Sequence, residues 1–377
     1  MSLRDRLARL GRATEDGPTL FNRFGVIRNP FPAAGQPSAN PHMFTDADDA
    51  IEQRLITFER DQTSQILLIE GTQGTGKTNL LSYYEGGLRD LYAEERRFYV
   101  IRYFSDPEPS FDRVVRRVFQ SLDVEHLVRL GTELARRTRQ ERVAVIESAA
   151  DGYETRCALH ALANAEDENR RNEIASAALE WLVGLRLLNR HREALGVQYR
   201  LDTVEAKTQA LRDVIQASMA TDCLRGLFLL LDELEKQDAS ASKLTVVRYL
   251  LALRALVDAL PRGLFLLVAL TPDAKKRYFG LVPAFAGRFQ DSVELSPLRS
   301  QEAAMELARF YIKQARDDAA AELDADQSGN EDILRDDEIA QVFANLVRQA
   351  EERGREGVTQ RDFLNELHRR AEETLTS

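Results

Sequence analysis

The sequence predicts a three-layer α/β fold: a parallel sheet flanked by helices, interrupted by an all-helical insertion and followed by a helical C-terminal region. Two observations carry this. Short apolar runs of buried-strand length, at 65–70, 98–103, 226–231 and 263–270, alternate with stretches of helical period, and that alternation marks strand–helix–strand crossovers. Between the second and third runs, from about 123 to 220, no strand signal occurs; apolar residues recur there at i, i+3 and i+4, as in Ala178, Leu179, Trp181, Leu182 and Leu185.

The elements follow in order. Residues 1–20 form a basic amphipathic segment with Arg4, Arg6, Arg9 and Arg12, running into Gly17-Pro18; it reads either as a surface helix or as an arm that docks on a neighbour or on nucleic acid. Prolines at 30, 32, 37 and 41 forbid regular structure and predict an ordered loop up to 45. Thr45 or Asp46 caps a helix to about Arg60, with Ile51, Leu55 and Phe58 on one face. The run Gln65 to Glu70 is apolar throughout, as a buried parallel strand is, and a helix begins near Gly76. Pro109 leads a helix with Phe111, Val114, Val115 and Phe119 at helical spacing. Leu244 to Leu260 is a helix between the third and fourth strands, Ser292 to Leu295 a short fifth strand, and 297–377 is helical with a polar break around 322–331. The expected organisation is an N-terminal arm and Pro-rich loop (1–45), an α/β core (46–122 and 221–296), a helical insertion (123–220) and a helical lid (297–377).

Lys plus Arg number 51 and Asp plus Glu 61, a net charge of −10. A chain this acidic is no general nucleic-acid glue, because duplex binding rests on phosphate neutralisation; a local basic groove, or one built by several subunits, stays open. Two cysteines, Cys157 and Cys223, are too few for a disulfide framework or a four-Cys zinc site and fit a reducing cytosol. No apolar run approaches the ~18–20 residues a membrane span needs, and Met1-Ser2-Leu3-Arg4-Asp5-Arg6-Leu7 lacks the apolar core of a signal peptide, so a cytoplasmic protein with no membrane partner is expected.

The strongest chemical signal is Gly71-Thr72-Gln73-Gly74-Thr75-Gly76-Lys77-Thr78, a full G-x-x-x-x-G-K-[ST] phosphate loop with a strand before it and a helix, starting Asn79-Leu80-Leu81, after it. Glycines let backbone N–H groups curl around crowded anionic oxygens, and the helix N-terminus adds its positive dipole end. Lys77 is expected to reach the β- and γ-phosphates of ATP and Thr78 to ligate Mg²⁺, with the loop from Gly71 to Asn79 as the nucleotide contact. The partner motif is Leu229-Leu230-Leu231-Asp232-Glu233: Asp232 at a strand end would hold Mg²⁺ through water, and Glu233 would polarise the attacking water. Glu235, past the strand end, reads as a solvated turn residue. Thr271, after the fourth strand, falls between the tips of the first and third and reads either as a γ-phosphate sensor or as a cap for the next turn. Arg288 reads either as a finger reaching a neighbouring subunit's nucleotide or as a surface ion pair, with Arg277 as its competitor.

Together these parts resemble the AAA+ ATPases, over about 250 residues. The resemblance implies a sheet order with the Asp232 strand beside the phosphate-loop strand and the Thr271 strand on that loop's other side. Val293-Glu294-Leu295-Ser296-Pro297-Leu298 resembles the passage into that family's helical lid, and Gly357-Val358-Thr359-Gln360-Arg361-Asp362-Phe363-Leu364 the lid segment bearing a second sensor arginine, at Arg361; Thr359 and Asp362 also make a helix cap. Phe24-Gly25-Val26-Ile27-Arg28-Asn29-Pro30-Phe31 resembles the leading segment of initiator-type and transposition-regulator ATPases, where it lines the adenine pocket. A narrower likeness, to P-loop ATP-binding proteins of bacteriophage-exclusion defence systems, rests on Trp181-Leu182-Val183-Gly184, Ala194-Leu195-Gly196-Val197 and the stretch from Arg225 to Glu235. The resemblance implies an ATP-hydrolysing homo-oligomeric ring or filament that engages DNA in phage-defence or mobile-element biology. The alternative is a nucleotide-gated scaffold that presents the insertion to a protein partner.

Three features carry less. Asp324 to Gly329 resembles the start of a calcium loop, but Arg335 stands at the twelfth position, where a bidentate glutamate is needed. The histidines, His42, His126 and His191 among them, lack ligand spacing. The run Arg136-Arg137-Thr138-Arg139-Gln140-Glu141-Arg142 reads as a solvated helix face, with contact to nucleic acid or a partner as its sharper reading.

Overall fold

A computed structural model of the chain describes residues 23–33, 41–104, 110–235, 242–289, 291–323 and 331–376. The N-terminal arm, Pro109 and the calcium-like loop lie outside these residues. The chain groups into two compact units, one of Asp46–Glu70 and Tyr84–Glu294, the other of Met1–Thr45, Gly71–Tyr83 and Leu295–Ser377.

The first unit is built on a five-stranded sheet among the described residues: β1 (Gln65–Gly71), β2 (Phe98–Phe104), β3 (Gly226–Asp232), β4 (Leu264–Leu270) and β5 (Asp291–Leu295), in the order β2-β3-β4-β1-β5. β2 with β3, β3 with β4 and β4 with β1 pair in parallel. The order implied by the family resemblance is wrong at one place: β4 lies between the phosphate-loop strand and the Asp232 strand. Pairing decides this, since β4 bonds to both β1 and β3; composition separates only the central strands from the edge. Leu264 to Leu270 is apolar on both faces and wholly buried, as is β3, so both take central positions, while β5 alternates exposed and buried and takes an edge.

Alternation along the strands divides the core into two faces. Leu227, Leu229 and Leu231 of β3 and Leu264, Leu266 and Val268 of β4 face a large cluster with α3 (Phe111–Ala135) and α9 (Lys243–Ala259). On the opposite face Phe228 and Phe265 pack on Phe58 of α1 (Asp46–Asp61), with ring centroids 5.3 and 5.6 Å away. Helices on both faces of a parallel sheet make the predicted three layers.

The β2–β3 connection is a crossover expanded into α3, α4 (Arg139–Ala149), α5 (Tyr153–Ala163), α6 (Glu168–Leu182), α7 (Asn189–Leu195) and α8 (Val204–Ala220). A kink falls inside α3 at Asp123, which leaves the helix at φ 60°, and its carboxylate accepts the His126 N–H at 3.1 Å, restarting the helix. The buried side chains of these helices are continuous with the sheet core.

In the second unit α12 (Gln301–Leu323), α13 (Asp336–Glu352) and α14 (Gln360–Thr376) share a core with Phe24, Val26 and Phe31. The segments leading into α12 and α14 are joined by a two-way backbone pair, Leu298 with Val358, at 2.8 and 3.1 Å. The remaining helices are α2 (Lys77–Leu91), α10 (Pro272–Leu281) and α11 (Pro283–Ala286).

Candidate functional site

The phosphate loop connects β1 to α2. Gly74 and Gly76 have φ of +88° and +100°, a region that only glycine adopts freely. Lys77, 8% exposed, turns its ammonium back onto the loop, donating to the Gly71 carbonyl at 2.7 Å and the Thr72 carbonyl at 3.1 Å. The Thr75 hydroxyl donates to the same Thr72 carbonyl at 2.9 Å. Thr72 and Gln73 are exposed. The segment before α14 lies against this loop: the Arg361 N–H donates to the Gly74 carbonyl at 3.0 Å. A Cβ on Gly74 would come within 3.0 Å of Thr359 Oγ1, and one on Gly76 within 2.9 Å of Gln360 Oε1. Thr359 forms the expected cap, its hydroxyl oxygen accepting from the Asp362 N–H at 3.1 Å. Arg361 therefore meets the loop through its backbone, while its side chain is exposed.

A narrow cleft beside the loop is lined by Pro41, Met43, Thr75, Asn79, Leu307 and Tyr311, among others. The Asn79 amide bridges it, with Oδ1 2.9 Å from His42 Nδ1 and Nδ2 donating to the Pro41 carbonyl at 3.4 Å. The Tyr311 hydroxyl donates to the same carbonyl at 3.3 Å. Phe24 to Phe31, expected to line an adenine pocket, are not among the residues lining this cleft. That segment is tied to α14: Asn29 Nδ2 donates to the His368 carbonyl at 3.0 Å, His368 Nδ1 meets the Phe31 carbonyl at 2.6 Å, and Phe24, Val26 and Phe31 go into the helical core. Pro41, His42, Met43 and Thr45 do line it; proline density says nothing of where a loop lies.

In the other unit the acidic motif sits at the carboxyl end of β3. Strands β1, β3 and β4 finish on one edge of the sheet, with Glu70 opposite Leu270 and Leu231 opposite Val268; ligands of open α/β sheets bind outside that edge. Asp232 is 1% exposed. Its Oδ2 accepts from Arg102 Nη2 at 2.7 Å and its Oδ1 from the Glu233 N–H at 2.9 Å. Glu233, half-buried, has φ +56°, a left-handed conformation that costs a non-glycine residue about 1–2 kcal/mol. Strain of this kind collects at functional sites. Arg102 was not singled out from the sequence, although the lone charge in Phe98-Tyr-Val-Ile-Arg102-Tyr-Phe104 was a usable signal. Glu235, expected to be solvated, is half-buried with one carboxylate oxygen shielded from solvent; the Tyr278 hydroxyl anchors the preceding Leu234 carbonyl at 3.0 Å.

Of the two readings of Thr271, the cap is formed: its Oγ1 accepts from the Ala274 N–H at 3.3 Å at the start of α10. The hydroxyl still carries a proton to donate. One turn on, Lys275 pairs with Glu70. Arg288 pairs with Asp258 of its own chain, whose carboxylate raises the guanidinium pKa, and Arg277 is exposed with its guanidinium 5.4 Å from the Tyr278 ring centre. The run from Arg136 to Arg142 is not one helix face. It is the α3–α4 junction, where Thr138 and Glu141 form a capping box and Arg137 and Arg142 donate to the carbonyls of Ala220 and Ala163.

Among the described residues no cluster of three or more His, Cys, Asp or Glu could hold a metal alone. Thr78 and Asp232 do offer the hard oxygen donors magnesium takes, and that ion is commonly held by one or two protein oxygens together with substrate phosphates. Each Asp232 oxygen has a second lone pair beyond the bond described, so this carboxylate by itself suits a magnesium ion.

No protein-family model matches the chain, and no curated protein matches it. Several solved structures are similar in fold. One of them is the Aeropyrum pernix ORC2 protein in ADPNP and ADP complexes, at 12% identity and a TM-score of 0.40, covering 90% of this chain and 72% of that one.

Proposed function

We propose that the chain binds and hydrolyses ATP, as an oligomeric switch or motor of the AAA+ type. The observation that carries this is the 71–78 loop: glycines at left-handed φ lead straight into a helix N-terminus, with Lys77 held on the loop's own carbonyls. Loop amides and the helix dipole suit a triphosphate. On this reading Lys77 exchanges the Gly71 and Thr72 carbonyls for β- and γ-phosphate oxygens. Glu233 accepts a hydrogen bond from the attacking water and orients it in line. Thr78 and Asp232 would hold a magnesium ion, which when bound neutralises charge on the phosphates. Thr271 would donate to the γ-phosphate, Arg361 would sense it, and Arg288 would serve a neighbouring subunit.

The test is a titration with a fluorescent ATP analogue, alongside turnover. Lys77→Ala should lose affinity or turnover by at least about a hundredfold, and Glu233→Gln should keep affinity and lose turnover to a similar extent. Unchanged affinity and rate in Lys77→Ala would remove the assignment. Engagement of DNA is the reading of its downstream role, supported by the family likeness of the sequence. A turnover rate that rises with duplex DNA and falls steeply with salt would bear it out, and no response to any DNA would favour the scaffold.

A further inference from the structure

We infer that Arg102 is a built-in counter-cation for Asp232, competing with magnesium for that carboxylate and so setting the metal concentration at which nucleotide is gripped. The inference rests on the nucleotide reading above. Arg102 is on β2, where it lies opposite Leu230 of β3. Asp232 is two residues further along, so the two side chains share a face of the sheet and meet diagonally. Both are almost wholly buried, with side chains 3% and 1% exposed, at 2.7 Å. A buried carboxylate is costly without a cation or hydrogen-bond donors beside it. In the structure that cation is Arg102.

The arginine also has a second berth. Glu85 of α2 lies 3.5 Å from its other terminal nitrogen, and the Phe104 ring lies 4.6 Å from its guanidinium carbon. Two cations on one buried carboxylate repel, so a metal ion arriving there displaces the guanidinium toward Glu85. Stability alone is a weak reason for the pair, because buried ion pairs contribute little net stability over apolar residues of the same shape. Its location, on the acidic residue that ends β3, supplies the stronger one.

The experiment measures affinity for a fluorescent ATP analogue as a function of Mg²⁺, at about pH 8, where carboxylates are ionised, and thermal midpoints with and without both ligands. Arg102→Met removes the competitor. It should lower the Mg²⁺ needed for half-maximal gripping by about tenfold or more, and its lost thermal stability should be recovered by Mg²⁺ with the analogue. Glu85→Gln keeps the arginine and removes its second berth, so it should raise the Mg²⁺ requirement; it also keeps the test alive if Arg102→Met does not fold. An unchanged or higher Mg²⁺ requirement in Arg102→Met, or an unchanged one in Glu85→Gln, overturns the inference while leaving the ATP site standing. No Mg²⁺-dependent binding in the unaltered protein overturns both.

Discussion

Glu233 shows how one residue can be placed against its own preference. At φ +56° glycine would be easier, and the ~1–2 kcal/mol of strain exceeds the ~0.5–1 kcal/mol that glycine's extra unfolded-state freedom costs. Glu233→Gly should therefore unfold at higher denaturant than Glu233→Gln, by about 0.5–1 kcal/mol, although both lack the carboxylate. A glycine variant less stable than the glutamine one would mean the surroundings, not the side chain, hold that backbone. Asp232 beside it illustrates the opposite case, a charge retained in the core because Arg102 and the Glu233 amide satisfy both its oxygens.

At the scale of the elements, the insertion is held to the sheet by a buried polar chain. Arg129 donates to the Tyr99 hydroxyl at 2.9 Å, that hydroxyl meets His126 Nδ1 at 2.9 Å, and His126 Nε2 meets Ser218 Oγ at 2.8 Å. Burial, and then the Arg129 charge, lower the His126 pKa to about 3 from an ordinary 6.5. The imidazole is thus neutral in the fold, while the unfolded chain takes up a proton once pH drops below about 6.5. The contribution is whole above that value and is lost progressively as pH falls toward 3. His126→Gln should be less stable at neutral pH yet lose less between pH 6.5 and 4 than the unaltered protein, as followed by urea unfolding; equal losses would count against a neutral buried imidazole. Gly226, at the start of β3, governs packing on the other face. A Cβ there would fall 2.8 Å from the Phe98 ring and 2.9 Å from the Phe58 ring, so Gly226→Ala should cost about 1–3 kcal/mol by overpacking, read as a lower unfolding midpoint. No loss would show that the aromatic cluster yields freely.

For the molecule as a whole, the open question is what a second copy adds. In the single chain Arg288 is engaged with Asp258. If it serves a neighbour, Arg288→Ala should lose turnover by about a thousandfold and regain it when mixed with Glu233→Gln subunits, whose arginines are intact. Absence of rescue across mixing ratios would leave Arg288 as the surface ion pair its geometry already makes.

The α/β class, the strands, the phosphate loop and the Asp-Glu motif were legible in the chain itself, because each depends on local pattern: apolar runs of strand length, glycines ahead of a lysine, acids at the end of an apolar strand. The order of the strands was not, since β3 and β4 are equally apolar and only their pairing tells which one lies beside β1. Nor were the pairings of Arg102 with Asp232 across 130 positions or of the Arg361 amide with Gly74. Contacts between residues far apart in the chain leave no periodic trace in it. Tertiary packing decided them, by burying charges that then had to find partners.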